Sequence, residues 1–101
     1  MNMFGEKIRM LREQNGTPLR IVAYHLGIDQ AILSKIENGK RNASKKQVEL
    51  ISSYFGVPLK ELIIEWLSDK IIYEIKDEQF GIDALKVAEE KVTYHKSNSK
   101  K

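Results

Sequence analysis

The sequence predicts an all-α fold for three reasons. Apolar residues recur at helical spacing, glycines and capping residues separate these runs, and no segment shows the alternation typical of a strand. The length of 101 residues fits about one average domain. With 42% hydrophobic and 31% charged residues, the composition is that of a globular chain and not of a disordered one.

Two short amphipathic helices are predicted at the start of the chain. The first covers 3–14, and its apolar residues at i, i+4 and i+7 are Phe4, Ile8 and Leu11. The pair Asn15-Gly16 ends it, since glycine suits a left-handed C-terminal cap. The second covers 18–26, with Thr17 as its predicted N-cap and Pro18 at its first position. Its apolar stripe consists of Leu19, Val22, Ala23 and Leu26.

The third predicted helix follows the second after a very short connection. Only Gly27 and Ile28 separate helix 18–26 from Asp29, which is the predicted N-cap of a helix that ends at about Glu37. So tight a connection forces a sharp angle between the two helices, as in a helix-turn-helix motif. Taken alone, this spacing fits a DNA-binding motif and an ordinary helical bundle equally well.

Two further helices are predicted after this motif. Ser44 is expected to cap the fourth helix, and Gly56 to end it. Its inner face consists of Val48, Ile51 and Phe55. The fifth helix begins near Leu59, and its apolar residues surround it, so more than one neighbouring surface must cover it. These residues are Leu59, Leu62, Ile63, Ile64, Trp66, Leu67, Ile71, Ile72, Tyr73 and Ile75.

The charge is unevenly distributed along the chain. Residues 1–60 include 10 basic and 5 acidic residues, whereas residues 61–93 include 4 basic and 9 acidic ones. The last eight residues add three lysines, and the whole chain has a net charge of +3. The basic part suits phosphate, and the acidic part is expected to face water or another protein.

Several classes of function are disfavoured by the residues present. The chain has no cysteine, which excludes disulfides, thiolate metal sites and a cysteine nucleophile. It has no apolar run of ~18 residues and no signal-peptide core, so we expect a cytoplasmic protein without a membrane partner. Phosphate-binding glycine motifs and metal-ligand spacings are missing, and His25 and His95 have no obvious ligand partner. We therefore predict no enzymatic activity, cofactor, metal or small-molecule ligand.

A more specific pattern extends from residue 8 to residue 62. Its most distinctive run is SKIENGKR, residues 34–41. The other residues of the pattern are Ile8, Arg9, Leu11, Arg12, Gly16, Val22, Ala23, Leu26, Gly27, Ile28, Leu33, Phe55, Gly56, Val57 and Leu62. With these residues the chain resembles the Cro/cI-type (Xre-type) helix-turn-helix family. The resemblance implies a five-helix, lambda-repressor-like domain that binds operator DNA as a dimer, with its third helix in the major groove.

The chain departs from that family at the start of the second helix. Many members have Ser-Gln or Asn-Gln there, whose side chains bind phosphate, where this chain has Pro18-Leu19. Leu19 cannot make that contact. Thr17, Arg20 or the first N–H groups of the helix are therefore the candidates to replace it.

The resemblance further implies an ion pair between Arg12 and Glu37. Its expected role is to fix the third helix, not to read bases. If the pair is buried, removal of one partner would cost ~3–5 kcal/mol. The alternative is two separate surface charges, which would contribute less than ~1 kcal/mol.

The third helix turns its apolar residues inward and a polar face outward. On this face Gln30 suits adenine and Lys35 suits guanine, while Ala31 is small enough to approach a thymine methyl group. The alternative for these residues is a solvated polar face. Ile32, at the edge of the apolar stripe, belongs either to the core or to a thymine contact. Predicted contacts to the DNA backbone are Thr17, Arg20, Ser34, Asn38, Lys40 and Arg41.

The C-terminal part of the chain predicts a homodimer. We expect a sixth helix over about 79–93. Either this helix or the same surface of a second chain covers Ile64, Ile71 and Ile75, and we expect a dimer that uses both. A monomer whose last helix folds back is the alternative. The predicted divisions are 1–67 for DNA binding, 68–93 for dimerisation and 94–101 as a disordered basic tail. The predicted interface residues are Ile64, Ile71, Ile75, Leu85 and Val92.

These features together predict a sequence-specific transcriptional regulator that acts as a homodimer on a pseudo-palindromic operator. Two recognition helices about one DNA turn apart, ~34 Å, would read the two half-sites. Size and architecture suit phage-type repressors and controllers of restriction–modification genes. The alternative is an antitoxin-type module whose C-terminal helices capture a partner protein.

Overall fold

A computed structural model describes residues 3–99, which form six helices and no strand. The helices are α1 (Phe4–Gln14), α2 (Leu19–Leu26), α3 (Gln30–Glu37), α4 (Lys45–Phe55), α5 (Leu59–Ile75) and α6 (Gly81–Ser99). The predicted all-α class is confirmed. The chain divides into two compact units, and the boundary in the sequence lies between Asp69 and Lys70.

The core of the first unit is formed by the inner faces of α1 to α5. Its buried apolar residues are Phe4, Ile8, Val22, Ala23, Leu26, Leu33, Ile36, Ala43, Val48, Ile51, Leu62 and Trp66. Most of them lie on the predicted apolar stripes, and each large side chain contributes about 1.5–3 kcal/mol by leaving water. Ile28, in the short connection, and Ile32 are partly buried and pack against this core. Ala43, in the segment before α4, is a core residue that periodicity did not indicate.

The connection between α2 and α3 has the backbone that its sequence predicts. Gly27 has a φ of 72°, a left-handed conformation that ends α2 at little cost because glycine has no Cβ. Asp29 then caps α3, since its Oδ1 accepts a hydrogen bond from the Ile32 N–H at 2.9 Å. Ser44 and Gln47 form a capping box at the start of α4.

The start of α2 differs from the prediction. Its N-cap is Pro18, not Thr17, and no side chain caps the helix. The Thr17 N–H donates to the Arg12 carbonyl at 2.9 Å, and the Thr17 carbonyl accepts from Arg12 Nη1 at 3.3 Å. Because both of its backbone groups are bonded to α1, Thr17 closes the end of that helix instead of opening α2.

The second unit contains the end of α5 and all of α6. Of the α6 residues from 81 to 98, only Gly81 is buried. The helix continues to Ser99, so residues 94–99 are helical and not the disordered tail that we predicted. Polar composition suggested disorder there, but no glycine or proline follows Gly81 to end the helix. Residues 100–101, the rest of the predicted tail, lie outside the described residues.

Candidate nucleic-acid interface

One face of α3 is packed in the core and the other lies at the surface. Leu33 and Ile36 are 0% and 2% exposed, respectively. Gln30, Ala31 and Lys35 are exposed on the opposite side. The side chains of Gln30 and Lys35 make no hydrogen bond or ion pair within residues 3–99. The polar face that the sequence assigned to base contacts is therefore accessible along its length.

The segment after α3 is cationic and exposed. Lys40 and Arg41 lie in this segment, residues 38–44, and Lys45 and Lys46 begin α4; all four are exposed. The same segment is attached to the core, because Ala43 is buried. The exposed cations of this segment therefore lie close in sequence to a residue that is packed in the core.

Glu37, the last residue of α3, carries the one buried charge among the described residues. Its carboxylate accepts hydrogen bonds from Arg12 Nε at 2.8 Å and from Arg12 Nη2 at 3.0 Å, a bidentate geometry. The hydrogen bond to Glu37 raises the pKa of Arg12, because it stabilises the charged guanidinium against the opposing effect of burial. The expected pair is therefore formed, and it attaches the end of α3 to α1.

A second group of polar contacts lies beside this pair. Arg9 Nη2 donates to Asn38 Oδ1 at 2.8 Å, and Asn38 Nδ2 lies 3.4 Å from Ser34 Oγ. The Arg9 Nε also lies 3.7 Å from Glu37 Oε1. Sequence reasoning gave Arg9 no role of its own. The available signal was its spacing of three residues from Arg12, which places both arginines on one side of α1.

The residues near α2 that we predict to contact phosphate differ in their exposure to solvent. Arg20 is exposed, whereas Thr17 is half-buried. Leu19 packs against the core, in agreement with its inability to bind phosphate. His25 makes a ring contact with Tyr54, with 4.6 Å between centroids. Within residues 3–99, no group of three or more histidines and carboxylates could hold a metal ion, and no helix is suited to crossing a membrane.

The residues assigned to a dimer interface are distributed over both units. Ile64 in the first unit is exposed. In the second unit Ile71, Leu85 and Val92 are exposed and Ile75 is half-buried. Each of these apolar side chains thus leaves area in contact with water within a single chain.

Comparison with known proteins identifies the first unit. The family described as Helix-turn-helix (HTH_3) matches residues 8–62. The control protein C.MunI of Mycoplasma sp is 40% identical over 60 residues, which cover 58% of this chain and 81% of that protein. The control protein C.BamHI of Bacillus amyloliquefaciens is 32% identical over 62 residues, which cover 60% of this chain and 76% of that protein.

A third relative is longer. The HTH-type transcriptional repressor RghR of Bacillus subtilis (strain 168) is 42% identical over 64 residues, which cover 62% of this chain and 47% of that protein. No solved structure matches the chain significantly. The family match runs from α1 into α5 and includes both short helices and the segment that follows them. The chain belongs to the Xre-type helix-turn-helix family.

Proposed function

We propose that this protein is a sequence-specific DNA-binding transcriptional regulator that places α3 in the major groove. The observation that carries the proposal is the division of α3 into a buried face and an exposed polar face, on which the side chains of Gln30 and Lys35 make no hydrogen bond within residues 3–99. A helix of this diameter fits the major groove of B-form DNA, where each base pair presents a distinct pattern of donors and acceptors. The family relationship supports the same function.

The side chains of the exposed face have chemistries that fit base edges. Gln30 can bond an adenine through N6 and N7, and Lys35 can donate to O6 and N7 of a guanine. Ala31 leaves room for a thymine methyl group. Ile32 packs against the core, which favours a structural role for it over a base contact.

The remaining polar residues suit the sugar–phosphate backbone. Their contacts fix the orientation of α3 on the duplex without reading sequence. The exposed cations after α3 supply attraction to any duplex, and Arg20 takes the place near α2 that Leu19 cannot fill. The residues proposed for these contacts are Thr17, Arg20, Ser34, Asn38, Lys40 and Arg41.

We further propose that the active form is a homodimer on a pseudo-palindromic site. Several apolar residues of the C-terminal part are exposed to water in a single chain. In a two-fold symmetric dimer, the same surface of a second copy buries them. Two copies of α3 ~34 Å apart would then read two half-sites of one operator. Among the roles of this family, control of restriction–modification genes agrees best with the two relatives that are named control proteins.

Selection of bound sequences from random duplex DNA tests this function. The full chain is expected to enrich two inverted half-sites whose centres are separated by about one helical turn. The matched control is the double variant Gln30→Ala/Lys35→Ala, which should fold but lose the enriched bases. Retention of random duplex without any enriched motif would overturn sequence-specific recognition. Enrichment of a single half-site by a monomer would overturn the dimeric arrangement.

A further inference from the structure

We propose that Arg9 is a positioning residue that sets Ser34 and Asn38 as a pair of hydrogen-bond donors for one DNA phosphate. This inference rests on the proposed function, because it assumes that the end of α3 lies against a duplex. It adds a residue of α1 to the site and assigns it a role other than direct contact with DNA.

The hydrogen-bonding chemistry of arginine fixes the orientation of the Asn38 amide. A guanidinium has only donors, so the group 2.8 Å from Arg9 Nη2 must be the amide oxygen of Asn38. The amide nitrogen then faces the other way, toward Ser34 Oγ at 3.4 Å. The direction of donation therefore runs from Arg9 through Asn38 to Ser34.

This direction leaves donors where an anion would bind. Once Ser34 Oγ accepts from Asn38, its own O–H is left to donate, and this hydroxyl donates no hydrogen bond within residues 3–99. The second N–H of the Asn38 amide is also left over, and Asn38 is exposed. Phosphate oxygens are acceptors only, so these two donors match them. In the flipped orientation, the Asn38 oxygen would face the phosphate and repel it.

Arg9 is itself held in place from the other side. Its Nε lies 3.7 Å from Glu37 Oε1, and the Glu37 carboxylate is buried and bonded twice to Arg12. The guanidinium of Arg9 is thus held between Glu37 and Asn38. This geometry favours an action through Asn38 over a direct phosphate contact by Arg9.

A double-mutant cycle on the full chain tests the inference. Affinity for the duplex selected by the wild type is measured by fluorescence anisotropy over a series of salt concentrations. Arg9→Met is expected to weaken binding about fivefold, the size of one hydrogen bond, to specific and to random duplex alike. In the Asn38→Ala background the same change should have less than about a twofold effect, because the amide that Arg9 orients is missing.

Two further variants separate this role from the alternatives. Arg9→Lys should recover part of the affinity, since an ammonium also donates only. Lys7→Met removes another ion-paired cation of α1 and should leave the affinity within about twofold. The salt dependence of Arg9→Met should match that of the wild type, whereas loss of a direct phosphate contact lowers the log–log slope by ~0.9.

Two results would overturn the inference. One is an equal loss from Arg9→Met in both backgrounds, and the other is a slope lowered by one phosphate contact. Circular dichroism of each variant shows whether it is folded at the assay temperature. Failure of the wild type to bind any duplex would instead refute the proposed function, so the two failures are distinguishable.

Discussion

The indole Nε1 of Trp66 donates a buried hydrogen bond to the carbonyl oxygen of Ala43, 2.8 Å away. Trp66 lies on α5, and Ala43 lies in the segment that carries Lys40 and Arg41. A buried indole N–H needs an acceptor, and here the acceptor is the backbone of the segment that follows α3. A core residue distant in sequence thus attaches the cationic segment to α5.

Loss of this hydrogen bond is expected to destabilise the first unit. Trp66→Phe leaves the Ala43 carbonyl without its partner and should lower the free energy of unfolding by about 1–3 kcal/mol. Urea unfolding followed by circular dichroism measures this, because Trp66 is the only tryptophan and its fluorescence is lost. Tyr24→Phe, at a position 87% exposed, is the control and should change stability by less than about 0.5 kcal/mol. Equal effects of the two changes would contradict the role of Trp66.

The Arg12–Glu37 pair is expected to contribute more to stability than a surface pair. Glu37→Ala leaves Arg12 without its partner and should cost about 3–5 kcal/mol in urea unfolding. Lys7→Met breaks the more exposed Lys7–Glu61 pair, whose atoms are 2.7 Å apart, and should cost less than ~1 kcal/mol. Comparable losses would show that burial does not distinguish the two pairs.

The pKa of Arg12 determines the pH range over which this residue contributes to the free energy of unfolding. Because folding raises the pKa of Arg12 above its ordinary value, the arginine's contribution is present below that ordinary value and is lost only as the pH rises through the folded pKa. Stability measured between pH 7 and pH 10 should therefore show no loss that depends on Arg12. A step in that range that disappears in Arg12→Met would contradict this expectation.

Gly5 is expected to be the least replaceable glycine of the first unit. A Cβ at this position would lie 2.3 Å from the carbonyl oxygen of Ile36, so α1 and α3 would have to move apart. Helix propensity alone favours alanine over glycine by about 1 kcal/mol. We nevertheless expect Gly5→Ala to destabilise by about 1–3 kcal/mol in urea unfolding, as overpacking does. The neighbouring exposed change Glu6→Ala is the control, and a stabilising Gly5→Ala would disprove the close approach.

Base and backbone contacts are expected to respond differently to mutation. Lys35→Ala should relax the preference at one operator position and cost about 1–3 kcal/mol on the selected duplex, with little loss on random duplex. Arg41→Ala should weaken binding to all duplexes alike and lower the slope of affinity against salt by ~0.9. Anisotropy titrations on both duplexes measure each change. An equal loss of affinity from Lys35→Ala on both duplexes would show that Lys35 does not contact a base.

Dimerisation and DNA affinity are expected to fall together when the C-terminal apolar residues are charged. Ile71→Asp introduces a charge at a position 46% exposed in the single chain, and should shift the mass in sedimentation from dimer to monomer. The same variant should bind the selected duplex more weakly, because one half-site supplies fewer contacts. Lys91→Asp, at an exposed polar position, is the control. A lower mass with unchanged affinity would contradict the paired reading of half-sites.

Local features of this fold could be predicted from sequence, whereas long-range features could not. The caps at Asp29 and Ser44 and the inner faces of α1 to α5 follow from residue type and spacing within one helix. The close approach at Gly5 and the partner of Trp66 depend on how distant elements meet, which periodicity does not report. The helical residues 94–99 were missed because their polar composition resembles that of a disordered segment.

The candidate site shows the same division. The polar face of α3 follows from a helical wheel, and the Arg12–Glu37 pair from a resemblance. The contact of Arg9 with Asn38 joins residues on different elements, and only the packing of α1 against the end of α3 brings them together.

The separation of α3 into two faces has a consequence for how such regulators diverge. The side chains that pack α3 into the core, Leu33 and Ile36, are on one side, and the side chains proposed to choose the operator are on the other. In the proposed arrangement, exchange of Gln30 or Lys35 after gene duplication changes the target site while the folding free energy stays nearly constant. The same separation of the two faces makes this scaffold a starting point for engineered repressors that do not bind one another's promoters.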